Sequence, residues 1–288
     1  MDTVILLLCT GLGLGALYFL VASGLSLIFG LMDVLNFAHG ALLSIGAYGT
    51  WWAGTQGGMG FWGAVVFGTA VGTAAAVLLE LLLIRPLYRR PRDQILATVG
   101  VGLAVPALLT GVWGADARPF PQPAALAGTV HLLGAIVPVN RFVLLGAAAL
   151  VLLALRLFLG RTRYGLVVRA GVEDRAMVTA LGIDVRRAFT LVFAIGGAAA
   201  ALGGALSGLY FGSVHPGQGA GLLIFAFVVV VMGGMGSVTG AALASVAVGL
   251  VQQFANYYTA AGLGDLSVVV LLAVLLLVRP RGLTGRLA

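Results

Sequence analysis

Three histidines, one cysteine and nine acids are a thin stock of groups for catalysis or metal binding in a chain of 288 residues. The candidate nucleophile is Ser207 in Gly204-Ala-Leu-Ser-Gly208, with His215 eight residues on. That order is not the G-x-S-x-G elbow that raises a serine for attack, and no third group stands ready to orient the histidine. His39, His131 and His215 are far apart, and no Cys, Glu or second His falls at ligand spacing, so no metal site is indicated. The chain contains no lysine. It therefore cannot supply the P-loop lysine that contacts nucleotide phosphates, and any ATP hydrolysis belongs to another polypeptide.

Other polar side chains stand singly in apolar sequence. Asn36 and His39, with Phe37 between them, interrupt an apolar stretch just before Gly40. Polar groups at membrane depth are costly unless paired, which leaves two readings. Asn36 and His39 satisfy backbone groups at a helix break, or this segment lies beside a translocation path. Gln252 and Asn256 are one helical turn apart, with Gln253 on a neighbouring face. They either hydrogen-bond between helices or line the same path. A second polar break, Ser213-Val-His-Pro-Gly-Gln-Gly219, precedes another apolar run and loosely matches the first, a hint of internal duplication. Gly233, Gly234 and Gly236 allow close helix packing or a hinge.

The elements that must position these residues are membrane helices. Hydrophobic residues make up 61% of the chain, charged residues 9%, and mean hydropathy is +1.11. Such a chain folds with lipid as its main solvent, and no hydrophilic segment is long enough for a core of its own. The expectation is one all-α integral membrane domain spanning residues 1–288. Its apolar blocks fall at roughly 4–30, 40–56, 61–84, 94–113, 142–160, 188–212, 238–258 and 265–279. A shorter run covers Leu222 to Met232. The reading is a polytopic bundle of about eight spans, with nine or ten if broken or re-entrant helices are counted. Cys9 sits within the first block, where packing is its ordinary role. The run from Val4 lacks the basic start of a signal peptide and reads as a retained span.

Arginines set the orientation. Arg85, Arg89, Arg90 and Arg92 form one cluster, six more lie from Arg161 to Arg187, and Arg279, Arg281 and Arg286 close the chain. These clusters and the C-terminus are expected on the cytoplasmic side. The proline-bearing loop of about 114–140 then faces outward. The net charge of +7 is an orientation signal here and not a nucleic-acid surface.

The segment of about 161–187 holds six arginines and three acids between long apolar runs. Within it Val172, Ala176, Met177, Ala180 and Leu181 recur at helical spacing, with Glu173, Asp174, Arg175 and Thr179 on other faces. Val178 completes a short surface helix with acids at its positive end, and Gly182 can end it. Asp184 can cap the next helix. This helix either lies on the headgroups or docks a cytoplasmic protein.

The chain resembles the LivH-like permease subunits of ATP-binding-cassette importers for branched-chain amino acids. The resemblance rests on Gly24-Leu-Ser-Leu-Ile-Phe-Gly-Leu-Met-Asp-Val-Leu-Asn-Phe-Ala-His-Gly40, Arg85-Pro-Leu-Tyr-Arg-Arg90 and Arg161-Thr-Arg-Tyr-Gly165 continuing through Ala180-Leu-Gly-Ile-Asp184. Gly233-Gly-Met-Gly-Ser237 and Arg279-Pro-Arg-Gly-Leu283 complete it. Each piece is short, but their order and spacing run nearly end to end.

The resemblance implies a type II importer permease in a bacterial or archaeal inner membrane. Its partners would be a second homologous permease subunit, two cytoplasmic ATPases and an extracytoplasmic solute-binding protein. No cofactor would be bound by this chain, and ATP would be used by the partner subunit. The coupling helix would be Val172 to Leu181, with Gly182 and Ile183 as its exit. The cargo would be leucine, isoleucine or valine, or in other relatives another amino acid, an amide or urea. A proton-coupled carrier is the rival class, but it needs ionisable groups within the bilayer, and Asp33, Glu80 and Asp265 all lie near expected span ends.

Overall fold

A computed structural model describes residues 2–32, 36–88, 90–173, 175–180, 182, 185–260 and 262–284. The fold is a helical bundle with two short strand pairs at one end. Six helices are long and apolar enough to cross a membrane. They are α1 (Asp2–Met32), α3 (Phe61–Leu79, extended to Leu87), α4 (Pro91–Trp113), α6 (Asn140–Arg161), α9 (Val185–Phe211) and α11 (Val238–Tyr258). Three shorter ones complete the bundle: α2 (His39–Thr55), α10 (Gln218–Gly233) and α12 (Leu263–Val278). A helix of 16 residues, as in α10 and α12, rises about 24 Å and falls short of a bilayer core about 30 Å thick.

Burial separates centre from perimeter. The most apolar stretches of α1 and α9 are 67% buried, against 11% for α4 and 17% for α6. α1 and α9 therefore form the axis of the bundle. α4 leaves Leu96, Leu103, Leu108 and Val112 exposed, an apolar face for lipid or another membrane helix to cover.

A pattern of long helix, break, short helix, long helix occurs twice, as α1, α2, α3 and as α9, α10, α11. The two sets interlock: α1 packs on α9 and α11, and α9 packs on α3. The short helices cross at their first turns, where Gly40 meets Gly219. A Cβ on Gly40 would stand 2.8 Å from the carbonyl oxygen of Gly219, so only glycine allows this approach.

The chain ends lie at opposite ends of the bundle. Near the start of α1, a Cβ on Gly134 would come within 2.9 Å of Asp2 Oδ1. Gly134 belongs to the turn between β2 (Thr129–Leu132) and β3 (Ala135–Pro138). At that same end β1 (Arg118–Pro119) pairs with β4 (Ser213–Val214), and the Phe120 N–H donates to the Gly212 carbonyl at 2.9 Å. α5 (Ala124–Ala127) completes this loop. At the opposite end the Leu283 N–H donates to the Met232 carbonyl at 2.8 Å.

That second end also carries the arginine-rich segment, whose described residues are helical over a longer stretch than the one short helix expected. α7 (Arg163–Glu173) precedes α8 (Arg175–Ala180). Thr162 Oγ1 caps α7 by accepting from the Gly165 N–H at 2.9 Å, and Gly165, Val168 and Gly171 form its buried stripe. Two of those three positions are glycine, which is why an apolar periodicity does not announce this helix. Gly182 has φ +77°, the left-handed conformation that suits a glycine after a helix. Asp174, Leu181, Ile183 and Asp184 lie outside the described residues, as do Asp33 and Arg89.

Candidate functional site

Five helices and the second break line a half-open cavity of about 580 Å³, of mixed polar and apolar lining, at the end of the bundle that carries the strand pairs. α1 contributes Leu14 and Tyr18, α9 contributes Tyr210, and the second break contributes Ser213 and His215. α10 brings Gln218, Gly221, Leu222 and Phe225, α11 brings Gln252, Gln253 and Asn256, and α12 brings Asp265. Its floor is a fixed relay. Tyr18 stacks on Phe225 with ring centroids 5.1 Å apart and donates its hydroxyl to Gln252 Oε1 at 2.6 Å. Gln252 Nε2 in turn donates to Asp265 Oδ1 at 2.7 Å. A side-chain amide with both ends engaged has one orientation, so Gln252 fixes the carboxylate relative to α1.

The other walls are also tied. Gln218 Nε2 donates to Ser207 Oγ at 2.9 Å, and Gln218 Oε1 accepts from the His215 N–H at 3.3 Å. These bonds hold the second break against α9. Ser207 itself donates to the Gly204 carbonyl at 2.6 Å, so its hydroxyl is committed to structure. Asn256 Oδ1 accepts from the Gly264 N–H at 3.0 Å and pins the start of α12. Beside the cavity the Arg141 guanidinium lies 3.6 Å from the centroid of the Tyr210 ring and donates to the Tyr210 carbonyl at 3.2 Å.

Of the residues singled out for a path, the structure brings Gln252 and Asn256 to this cavity and leaves the first break elsewhere. His39 is fully buried at the start of α2, with Nε2 3.0 Å from the Val21 carbonyl oxygen. Asn36 Oδ1 accepts from the Ala38 N–H at 3.1 Å, and Phe37 lies against Phe227 with centroids 5.4 Å apart. Both polar groups serve the backbone at the break. Gly233 packs against Gly240, while Gly234 and Gly236 take positive φ in the turn from α10 to α11. Ser237 closes that turn by accepting from the Gly240 N–H at 3.0 Å. Among the described residues no group of three His, Cys, Asp or Glu is placed to hold a metal ion.

At the opposite end a charged knot joins α3 to α9. Glu80 has no exposed surface and opens a π-helical turn, Glu80–Ile84. Its Oε1 accepts from Arg85 Nε at 3.3 Å and from the Tyr88 hydroxyl at 2.5 Å, and its Oε2 accepts from Thr190 Oγ1 at 3.0 Å. Thr190 stands near the start of α9, just beyond the arginine-rich segment. Burial without pairing would be prohibitive for a carboxylate, and three donors make it tolerable.

Residues 7–279 match the family described as "Branched-chain amino acid transport system / permease component". The chain belongs to that family. Two similar relatives are the high-affinity branched-chain amino acid transport system permease protein LivH of Escherichia coli K12 and its counterpart BraD of Pseudomonas aeruginosa. LivH is 29% identical over 96% of this chain and 94% of its own length. BraD is 29% identical over 97% and 95%. Among solved structures the permease is similar to PsaBC from Streptococcus pneumoniae in complex with Fab. That likeness has a TM-score of 0.52 at 14% identity, covers 94% of this chain and 91% of that one, and concerns the fold.

The permease is a transport component and not the motor, in keeping with a sequence free of lysine. Tyr18, Gln218 and Asp265 are among the cavity residues that sequence reasoning did not assign to a path. Tyr18 carries no local signal, because its partner Gln252 is 234 residues away. Asp265 did carry one, as one of only nine acids in the chain.

Proposed function

We propose that this permease forms part of the membrane path of an ATP-driven importer for branched-chain amino acids. The observation that carries the reading is a family match over residues 7–279, joined by relatives aligned over nearly their whole length. The full assembly contains a second homologous permease, two cytoplasmic ATPases and an extracytoplasmic binding protein, in a bacterial or archaeal inner membrane. Its architecture is that of a type II importer permease, a reading supported by the family match over residues 7–279. Urea or a short amide remains the second cargo, since the binding protein does much of the selecting.

The three arginine clusters place their end of the bundle in the cytoplasm. The loop of about 114–140 and the cavity are then external, as is the start of α1. An even count of eight passages would bring both termini to one side, whereas Asp2 and Leu283 lie at opposite ends. Counting α10 as a passage gives nine. The segment of about 161–187 is the cytoplasmic coupling loop, with Val172 to Ile183 docking on the ATPase. Its support is position: the segment immediately precedes α9, the axis of the bundle, in the chain, so a push on α8 is close in sequence to the core. Such rigid-body transmission suits alternating access by rocking. Gln252 and Asn256 face the path, with Asn36, Phe37 and His39 shaping its inner neighbour.

The test is reconstitution of the permease with its partners in proteoliposomes. Uptake of leucine should require ATP and survive collapse of the proton gradient. Replacing Glu173, Asp174 and Arg175 together by alanine should leave insertion intact while ATP hydrolysis loses its link to uptake. Full uptake by that variant would remove the docking role.

A further inference from the structure

We propose that the external cavity is a station for a primary ammonium group, held by Asp265, with the short apolar part of the same solute against Leu222 and Phe225. The proposal rests on the transport reading and adds to it a site within one subunit. Among the described residues Asp265 is the only acid lining the cavity and no arginine lines it, the Arg141 guanidinium beside the cavity being stacked on the Tyr210 ring. The cavity therefore favours a cationic head over a carboxylate. The carboxylate is also presented, not buried: Asp265 is exposed, and its only hydrogen bond among the described residues is the one from Gln252. Its second oxygen is available to a donor from the cavity. Its place in the first turn of α12 sets its negative charge beside the positive end of that helix.

Position is fixed as well as charge. The relay from Tyr18 through Gln252 ties Asp265 to α1, and Asn256 ties the start of α12 to α11. The carboxylate is thus referenced to two helices other than its own. Leu222 and Phe225 stand on α10 at helical spacing and give the same cavity an apolar surface. An acid and an apolar surface sharing one cavity match a small amphiphilic amine. A volume of about 580 Å³ is of the size that small-molecule sites use and leaves room for water around such a solute. The amides of Gln253 and Asn256 line the same cavity and supply further polar groups.

Gly221 offers a probe. It lines the cavity, and a Cβ built on it meets nothing within 4 Å, so a cysteine there disturbs no neighbour. Cys9 is the single native cysteine and is replaced first, as Cys9→Ser. The complete importer carrying Gly221→Cys is then reconstituted, and the rate of its modification by a methanethiosulfonate reagent is measured. Leucine and 3-methylbutylamine, which keeps the ammonium group and loses the carboxylate, should both slow the modification. 4-Methylpentanoate, which lacks the amine, should not. Adding Asp265→Asn should weaken protection by the amine about tenfold, as loss of a charge-assisted hydrogen bond would. An unchanged rate without solute verifies that this variant is folded. The inference is overturned if the introduced thiol is not modified, if the acid protects as well as the amine, or if Asp265→Asn leaves protection unchanged. ATP-driven leucine uptake in the same vesicles separates the two claims. Uptake without protection removes the station and keeps the transporter, whereas absence of any ATP-driven uptake removes the transport reading itself.

Discussion

Replacing Glu80 should loosen the junction between α3 and α9 by an amount that depends on what the replacement leaves unpaired. In the parent, one fully buried carboxylate accepts from Arg85, Tyr88 and Thr190. Glu80→Gln keeps the shape and one acceptor oxygen but loses the charge. Hydrogen bonds to charged groups contribute about 1.5–3 kcal/mol each, neutral ones about 1, so the cost should be about 2 kcal/mol. Glu80→Ala removes every acceptor that the carboxylate offers, a loss in the range of about 3–5 kcal/mol for a broken buried pair. Arg85 adds little to either figure, because its side chain is 38% exposed and can return to water. The assay is denaturant or thermal stability of the purified chain in detergent, followed by loss of the monodisperse peak. Thr190→Val should couple to Glu80→Gln in a double-mutant cycle by about 1 kcal/mol. Stability of Glu80→Ala within about 0.5 kcal/mol of the parent would refute the reasoning, since it falls in the range of a neutral surface change.

Two further outcomes test the packing. Gly219→Ala places a methyl group against the Gly40 carbonyl and Ser44 Oγ, so α2 and α10 must separate; the expected cost is about 3 kcal/mol, read as a lower yield of monodisperse protein. Gly221→Ala, two residues on in the same helix, meets nothing and should hold or raise stability by up to about 1 kcal/mol. Ser237→Ala removes the cap of α11 and should cost about 1 kcal/mol in the same stability assay, with little change in yield.

Local patterns carried the membrane helices, because twenty apolar residues in a row leave few alternatives in water. The six long helices fall where the apolar blocks lie, and both polar breaks are real starts of short helices. What escaped was set by distance in sequence. Glu80, at an expected span end, could have reached water or a cationic neighbour; the structure buries it fully, and of its three partners Thr190 is 110 residues away. Gln253, on the face beside Gln252 and Asn256, lines the same cavity because that cavity opens between two neighbours of α11. The strand pairs escaped for a different reason. Two- and four-residue strands have too few side chains to alternate, and one pair joins residues 118–119 to 213–214. The arginine-rich segment was legible as a charged helical region, but the helical stretch from Arg163 was not, since small residues make up most of its buried stripe.

The two tethers on α9 restrict the ways it can move. Near its start Thr190 is held to Glu80 at 3.0 Å, and just past its end the Gly212 carbonyl is held to the Phe120 N–H at 2.9 Å. Sliding along its own axis by one helical turn, about 5.4 Å, would stretch both bonds well beyond hydrogen-bonding distance. Pivoting about these two anchors costs neither. A helix pinned at both ends and packed on glycine and alanine between them behaves as an axle, so a force arriving from the arginine-rich segment would be delivered as rotation or tilt and not as a piston stroke.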